Sequence, residues 1–223
     1  MKYTPRPPDF SLRGLRPYVK EQLEAVQTAI EGYRRFSGDE RKALRSDCKD
    51  YLRFRRELDD FLGTHFSALC SSQCYRSRKS ACCSRDGIIV FFADVVVDLL
   101  ASPTERPDHL LDALLGGCGD SSKCVYLGPA GCRWRVRPIV CAMFLCDKAW
   151  NAVLEPDPSL RKQWEAMEQR RKSFTWPDRS VLFDRIEGMY RCSGHRSSLM
   201  HCHESPGLLR IKRRAGLTAD GAG

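Results

Sequence analysis

Apolar residues recur at three- and four-residue spacing from the start of the chain. Leu15, Tyr18, Val19, Leu23, Val26, Ile30 and Tyr33 fall on one face of a helix spanning residues 15–36. Pro17 suits its first turn, where a missing N–H costs nothing. The stretch "SGDE" at 37–40 interrupts the pattern and restarts it, with Ser37 placed to cap a new helix and Glu40 to reach back. Leu44, Cys48, Tyr51, Leu52, Leu58, Phe61, Leu62 and Phe66 carry the second face to about residue 66. Two helices joined by so short a break predict an antiparallel hairpin.

Periodicity stops at residues 70–86, a polar and basic stretch read as loop. Beyond it "IIVFF" reads as a short strand and "ADVVVDLLAS" as a helix that ends near Pro103. Pro107 opens a further helix, "DHLLDALLGG", which Gly116 and Gly117 stop. Residues 124–134, "CVYLGPAGCRW", predict a small hairpin around Gly-Pro-Ala-Gly. Helix is expected over 140–154, 158–173 and 178–190, with Pro156, Pro158 and Pro177 between them. The fold class expected is therefore mainly α: an N-terminal helical hairpin (1–66), a cysteine-rich centre of loop and hairpin held by metal (67–150), and C-terminal helices packed on it (151–214). A tail, 215–223, is expected to be disordered, and the rest to form one compact domain.

A chain of 223 residues buries enough apolar surface to fold without staples, so its twelve cysteines call for another explanation. The first fourteen residues hold three prolines and no apolar run of a secretory signal. The longest apolar stretch, 87–100, is too short to span a bilayer and carries Asp94 and Asp98. The expected setting is cytoplasmic, without membrane attachment, where clustered cysteines serve as metal ligands or redox groups more often than as disulfides. Net charge is +9, but the basic runs at 53–57, 76–79, 133–137, 170–172 and 210–214 are scattered. Solvated surface explains them, and a nucleic-acid partner rests on charge alone.

Cys48 stands alone on the apolar face of the second helix and reads as a core residue. The others fall into groups: Cys70, Cys74, Cys82 and Cys83; Cys118, Cys124 and Cys132; Cys141 and Cys146; Cys192 and Cys202. None of the gaps is the C-x2-C of small zinc fingers. Adjacent Cys82 and Cys83 point their Cβ atoms apart, so they suit two sites, or two metals of a cluster, better than one tetrahedral ion. Cys124 and Cys132 stand at the two ends of the predicted hairpin, and Cys141 and Cys146 at the start of the following helix, whose positive end favours thiolates. These four are expected to converge with Cys82 or Cys83. Asp94 and Asp98, spaced for one helix face, are either a solvated pair or further ligands. Arg137 is placed for a cluster sulfur, a helix carboxylate or a surface ion pair. At the C-terminal end Cys192, His195, His201, Cys202 and His203 are either a second metal site or an ordinary polar loop.

The run of Cys70, Cys74, Cys82 and Cys83, followed by "CVYLGPAGCRWRVRPIVCAMFLC", resembles the YkgJ-type cysteine-cluster family, described as zinc- or iron-chelating domains. Cys124, Leu127, Gly131, Cys132, Arg137, Pro138, Cys141 and Cys146 carry the specific part of that likeness. The first half departs from it, with C-x3-C-x7-C-C where the family has C-x2-C-x2-C-C. The resemblance covers roughly 70–150 and implies a metal set of Cys70, Cys74, Cys82, Cys83, Cys124, Cys132, Cys141 and Cys146. It implies a metal-binding protein whose thiolates chelate zinc or iron, the latter as ions or as an iron–sulfur cluster. Thiolates exclude magnesium and calcium but do not separate zinc from iron. Two alternatives stand beside it: an enzyme using that centre, such as a protein lysine N-methylase, and a basic nucleic-acid-binding module. Neither a glycine-rich cofactor loop nor a nucleophile–base motif is present to identify an enzyme.

Overall fold

Pro17 opens the first helix, α1 (Pro17–Arg35), and its apolar stripe of Val19, Leu23, Val26 and Tyr33 is buried as the spacing requires. The computed structural model describes residues 14–75, 89–102, 107–116, 124–128 and 131–217, the side chains of 73–75 excepted. Ser37 then caps α2 (Gly38–Leu69): its Oγ accepts from the Glu40 N–H at 3.2 Å, and the Ser37 N–H donates to Glu40 Oε2 at 2.7 Å. Leu44, Cys48, Tyr51, Leu58, Phe61 and Phe66 turn inward, and Phe54 and Arg55 join them.

The two helices are not a hairpin packed along its length. They meet at the turn, where Arg41 Nη2 donates to the Arg34 carbonyl (2.7 Å) and Arg45 Nη2 to Tyr33 Oη (2.8 Å). Beyond it α1 rests mainly on α3 (Phe92–Ala101) and α4 (Asp108–Gly116), while α2 packs on α8 (Leu182–Cys192). The apolar face of each helix is satisfied by later elements rather than by its neighbour in sequence.

Helix α3 is the centre of the molecule. Every residue from Phe92 to Leu100 is buried, which is the signature of a helix apolar on all sides. Three consecutive valines resist helix, yet burial on every face outweighs that small local preference. Among the described residues of "IIVFF", 89–92, no strand forms. Phe91 is extended, and the Phe92 N–H joins the Leu199 carbonyl at 2.8 Å, so the apolar run feeds the helix.

The predicted hairpin is present but minimal. Strands β1 (Leu127–Gly128) and β2 (Gly131–Cys132) pair antiparallel, Leu127 opposite Cys132, and Gly131 takes the positive φ that a turn demands. The single helix expected over 140–154 is instead α5 (Ile139–Ala142) and α6 (Asp147–Ala149), followed by a π-helical turn at Trp150–Leu154. Extended backbone at Cys146 (φ −77°, ψ 161°) makes the break, which the consecutive apolar residues Met143, Phe144 and Leu145 conceal from any periodic reading. Beyond Asp157, which caps it, α7 (Pro158–Thr175) drives Trp164 into the core against Phe61. Helix α8 begins at Leu182, four residues later than the spacing predicts, and α9 (His201–Glu204) and α10 (Pro206–Arg214) close over it. No helix among the described residues is long and apolar enough to cross a membrane. Most of the expected tail, 218–223, lies outside the described residues.

Candidate metal centre

The segment that carries Cys132 and Cys141 is fastened to the core by buried charge. Asp98 is wholly buried, and its Oδ1 accepts the backbone N–H groups of Arg135 (2.8 Å) and Val136 (3.0 Å). One turn earlier, Asp94 accepts from the Ile139 N–H at 3.0 Å through Oδ1 and from the Phe91 N–H at 3.1 Å through Oδ2. It therefore caps α5 and the start of its own helix together. From α2, buried Arg55 donates to the Arg137 carbonyl at 2.6 Å, and the Arg137 guanidinium reaches Asp59 at 2.8 Å. On the far side of Asp98, His109 Nε2 stands 2.7 Å from Oδ2. Its Nδ1 lies 3.0 Å from Arg135 Nη1, which can only donate, so Nε2 carries the ring proton.

The spacing of Asp94 and Asp98 was compatible with a solvated pair or with ligands. The structure makes them anchors. Arg137 pairs with Asp59 on α2 with both side chains partly exposed, so its partner is a helix carboxylate and the pair is an ordinary surface ion pair.

Asp94 gives this anchorage a pH dependence. Burial pushes its carboxyl up to about 7, against the two N–H donors and Arg55, which pull it down. An unfolded aspartate titrates near pH 4, so the folded chain holds this proton more tightly. The stabilisation is complete below about pH 4 and disappears as pH rises through about 7, at no more than about 1.4 kcal/mol per pH unit. Asp94→Asn should flatten the decline in stability between pH 4 and 7 measured by urea unfolding. Parallel curves for wild type and variant would show that Asp94 does not titrate there.

Three of the predicted cysteines lie in the electrostatic neighbourhood of two tyrosines, Cys124 and Cys141 near Tyr18, and Cys124 and Cys132 near Tyr126. Cys124 Sγ accepts the Tyr126 N–H at 3.4 Å. The Tyr126 hydroxyl donates to Gln22 Oε1 on α1 at 2.9 Å, and Tyr18 lies one turn before Gln22. Burial, then the neighbouring Cys124 and Cys141, holds the Tyr18 hydroxyl well above its ordinary range. Tyr126 is raised in the same direction by burial, Tyr18, Cys124, Asp98 and Cys132. Trp134 packs edge-on against Tyr126 with centroids 5.1 Å apart. The Tyr18 hydroxyl and the Trp134 indole N–H are both buried without an acceptor among the described residues. The sequence reading missed these two aromatics because Tyr18 had been absorbed into the apolar stripe and Trp134 into the hairpin.

The remaining predicted ligands are only partly in view. Cys70 ends α2 and enters a π-helical turn, Cys70–Tyr75, which includes Cys74. Cys146 precedes α6, half-buried at the edge of the core. Such turns are rare and recur at functional sites. Cys82 and Cys83, like Cys118, lie outside the described residues, as does the side chain of Cys74. Among the described residues no three His, Cys, Asp or Glu side chains stand together so as to hold a metal ion.

The C-terminal group disperses. His203 Nδ1 is 3.0 Å from Glu187 Oε2 on α8, and Lys212 Nζ donates to Asp184 Oδ1 at 2.6 Å beside it. Burial, then Asp184, raises the Glu187 carboxyl well above the carboxylate range. His201 sits edge-on to Phe91, His195 is buried near Tyr190, and Cys192 is exposed. Cys202 is wholly buried, and burial also pushes its thiol far up; Cys48 is pushed up to about 12 for the same reason. These two are inert core thiols. The segment's work is to fasten α9 and α10 onto α8.

Compared with models of known families, with curated proteins and with solved structures, the chain matches none.

Proposed function

We propose that the chain is a metal-binding protein of the YkgJ type, whose cysteine thiolates chelate zinc or iron, the latter as ions or as an iron–sulfur cluster. The ligand set is Cys70, Cys74, Cys82, Cys83, Cys124, Cys132, Cys141 and Cys146, and a reducing compartment such as the cytoplasm suits it. One observation carries the reading. Cys124 and Cys141 lie near Tyr18, and Cys124 and Cys132 near Tyr126, at the edge of the core or outside it, whereas Cys48 and Cys202 are sealed in the core with thiols that resist ionisation.

The anchoring of residues 135–139 supports the same reading. Thiolates repel one another, and anchoring residues 135–139 through Asp94, Asp98 and Arg55 helps to position Cys132 and Cys141 on either side of them. Arg133 and Arg135 bring positive charge to the chain between Cys132 and Cys141, and positive charge near a thiol favours thiolate. When bound, the metal would be held by charge and softness matched to sulfur. The test is anaerobic purification. Brown protein containing iron and labile sulfide identifies a cluster, colourless protein containing zinc identifies a zinc site, and metal-free protein with all its thiols reduced overturns the proposal.

A further inference from the structure

Four ionisable side chains from three helices meet inside the C-terminal part of the molecule. Asp184 and Glu187 come from α8, His203 from α9 and Lys212 from α10, and all four are buried. Lys212 Nζ donates to Asp184 Oδ1 at 2.6 Å, and His203 Nδ1 stands 3.0 Å from Glu187 Oε2. His203 Nε2 lies 3.5 Å from Asp184 Oδ1, so the two pairs form one connected set. Helix α10 depends on that set. Lys212 is the only buried side chain of the helix, and among its apolar residues Leu208 packs against the core. A helix docked by a buried charge, rather than by an apolar stripe, is held only as well as that charge is balanced.

The balance needs one more proton. With both carboxylates ionised and the imidazole neutral, the set carries two negative charges and one positive, and burial penalises the excess. A proton on the Glu187–His203 pair removes it. Burial and then Asp184 raise the Glu187 carboxyl, against Lys212 and the backbone N–H groups of Cys202 and His203, in the direction that keeps such a proton. The Cys202 thiol, which also faces Glu187, is held protonated by burial. On other sides of α8, Asp47 of α2 pairs with Arg185 and Glu204 of α9 with Arg191, while α3 meets it through Phe92 against Tyr190. We infer that the four buried groups are a proton-operated latch: with the Glu187–His203 pair protonated, α9 and α10 are held on α8, and with that proton lost they loosen while the rest of the chain stays folded. The sign follows from the raised carboxyl. An unfolded glutamate loses its proton near pH 4, so the stabilisation is complete below that range and disappears as pH rises through the folded value. The latch is closed in acid and opens in alkali, with or without a metal elsewhere in the chain.

Amide hydrogen exchange of the full chain, corrected for the intrinsic pH dependence of exchange, tests this between about pH 7 and 9, where a released histidine is already neutral. Protection over α10 should fall by up to about tenfold per pH unit, since opening then releases one proton, and α1 should lose less. Helix α1 reports opening of the whole chain, including any contribution of Asp94. Glu187→Gln keeps a hydrogen-bonding group opposite His203 but has no proton to lose, so its α10 protection should stay level with pH. Asp94→Asn should leave the difference between α10 and α1 unchanged. If wild-type protection over α10 is level across this range, or falls only in step with α1, the set is a static fastening and the inference is overturned. That comparison needs no variant, so it decides the matter even if Glu187→Gln does not fold. An equal decline over α10 in wild type and Glu187→Gln overturns it as well, because the proton then lies elsewhere.

Discussion

Asp98→Ala is expected to lower the free energy of unfolding by about 3 kcal/mol, measured by urea denaturation with an unchanged slope. The substitution deletes the only oxygen that the Arg135 and Val136 N–H groups share, at 2.8 and 3.0 Å. A donor left without an acceptor costs about 1–3 kcal/mol when buried, and these two are part-buried, so together they account for most of the loss. His109 also loses the carboxylate facing its Nε2. Asp98→Asn should recover part of the loss, because its amide oxygen can still accept both backbone groups. Its amide nitrogen, however, would oppose the ring N–H of His109. The order wild type, Asn, Ala follows from this geometry. A loss below about 1 kcal/mol for Ala would mean that water reaches residues 135 and 136, and that the strap is not anchored as described.

Gly32→Ala should destabilise the chain by about 2 kcal/mol, although alanine is the better helix former. A Cβ at this point of α1 would stand 2.5 Å from Tyr190 Cδ1 on α8. The tyrosine ring cannot retreat. Phe36 and Phe92 each stand with centroids 4.9 Å from it, and its hydroxyl is tied to the Ala29 carbonyl at 3.0 Å. Overpacking of this kind costs about 1–3 kcal/mol, against a gain of up to about 1 kcal/mol from replacing a helical glycine. Gly63 supplies the control. It lies within α2, and a Cβ there meets nothing within 4 Å, so Gly63→Ala should stabilise by up to about 1 kcal/mol. If both substitutions stabilise, α1 and α8 do not approach as closely as the structure places them.

The legible parts of the fold were those fixed locally. The apolar stripe of α1, the capping box at Ser37 and the turn at Gly131 depend on neighbours in sequence, and each is found where the residues put it. What the pattern did not reveal depends on distant partners. "IIVFF" has strand composition, yet the run feeds a helix buried on every face, because α1 and α8 both pack on it. Spacing placed Asp94 and Asp98 on one face, but their acceptors' partners lie some forty residues away, at Arg135, Val136 and Ile139. In the candidate centre, Cys124, Cys132 and Cys141 were readable as cysteines in a pattern. Tyr18 and Trp134 were not, because an aromatic in an apolar stripe carries no sign that its polar atom is buried unpaired.

Whether the thiolates of the cysteine-rich centre hold a metal is decided most directly by metal content. Wild type, Cys141→Ser and Cys192→Ser should be purified anaerobically and analysed for iron, zinc and labile sulfide per chain. Cys141 lies beside Tyr18, whereas Cys192 is exposed at the end of α8. The account predicts bound metal in the wild type, retention in Cys192→Ser, and a clear loss in Cys141→Ser. Equal metal content in all three, or none in the wild type with its thiols reduced, would contradict it.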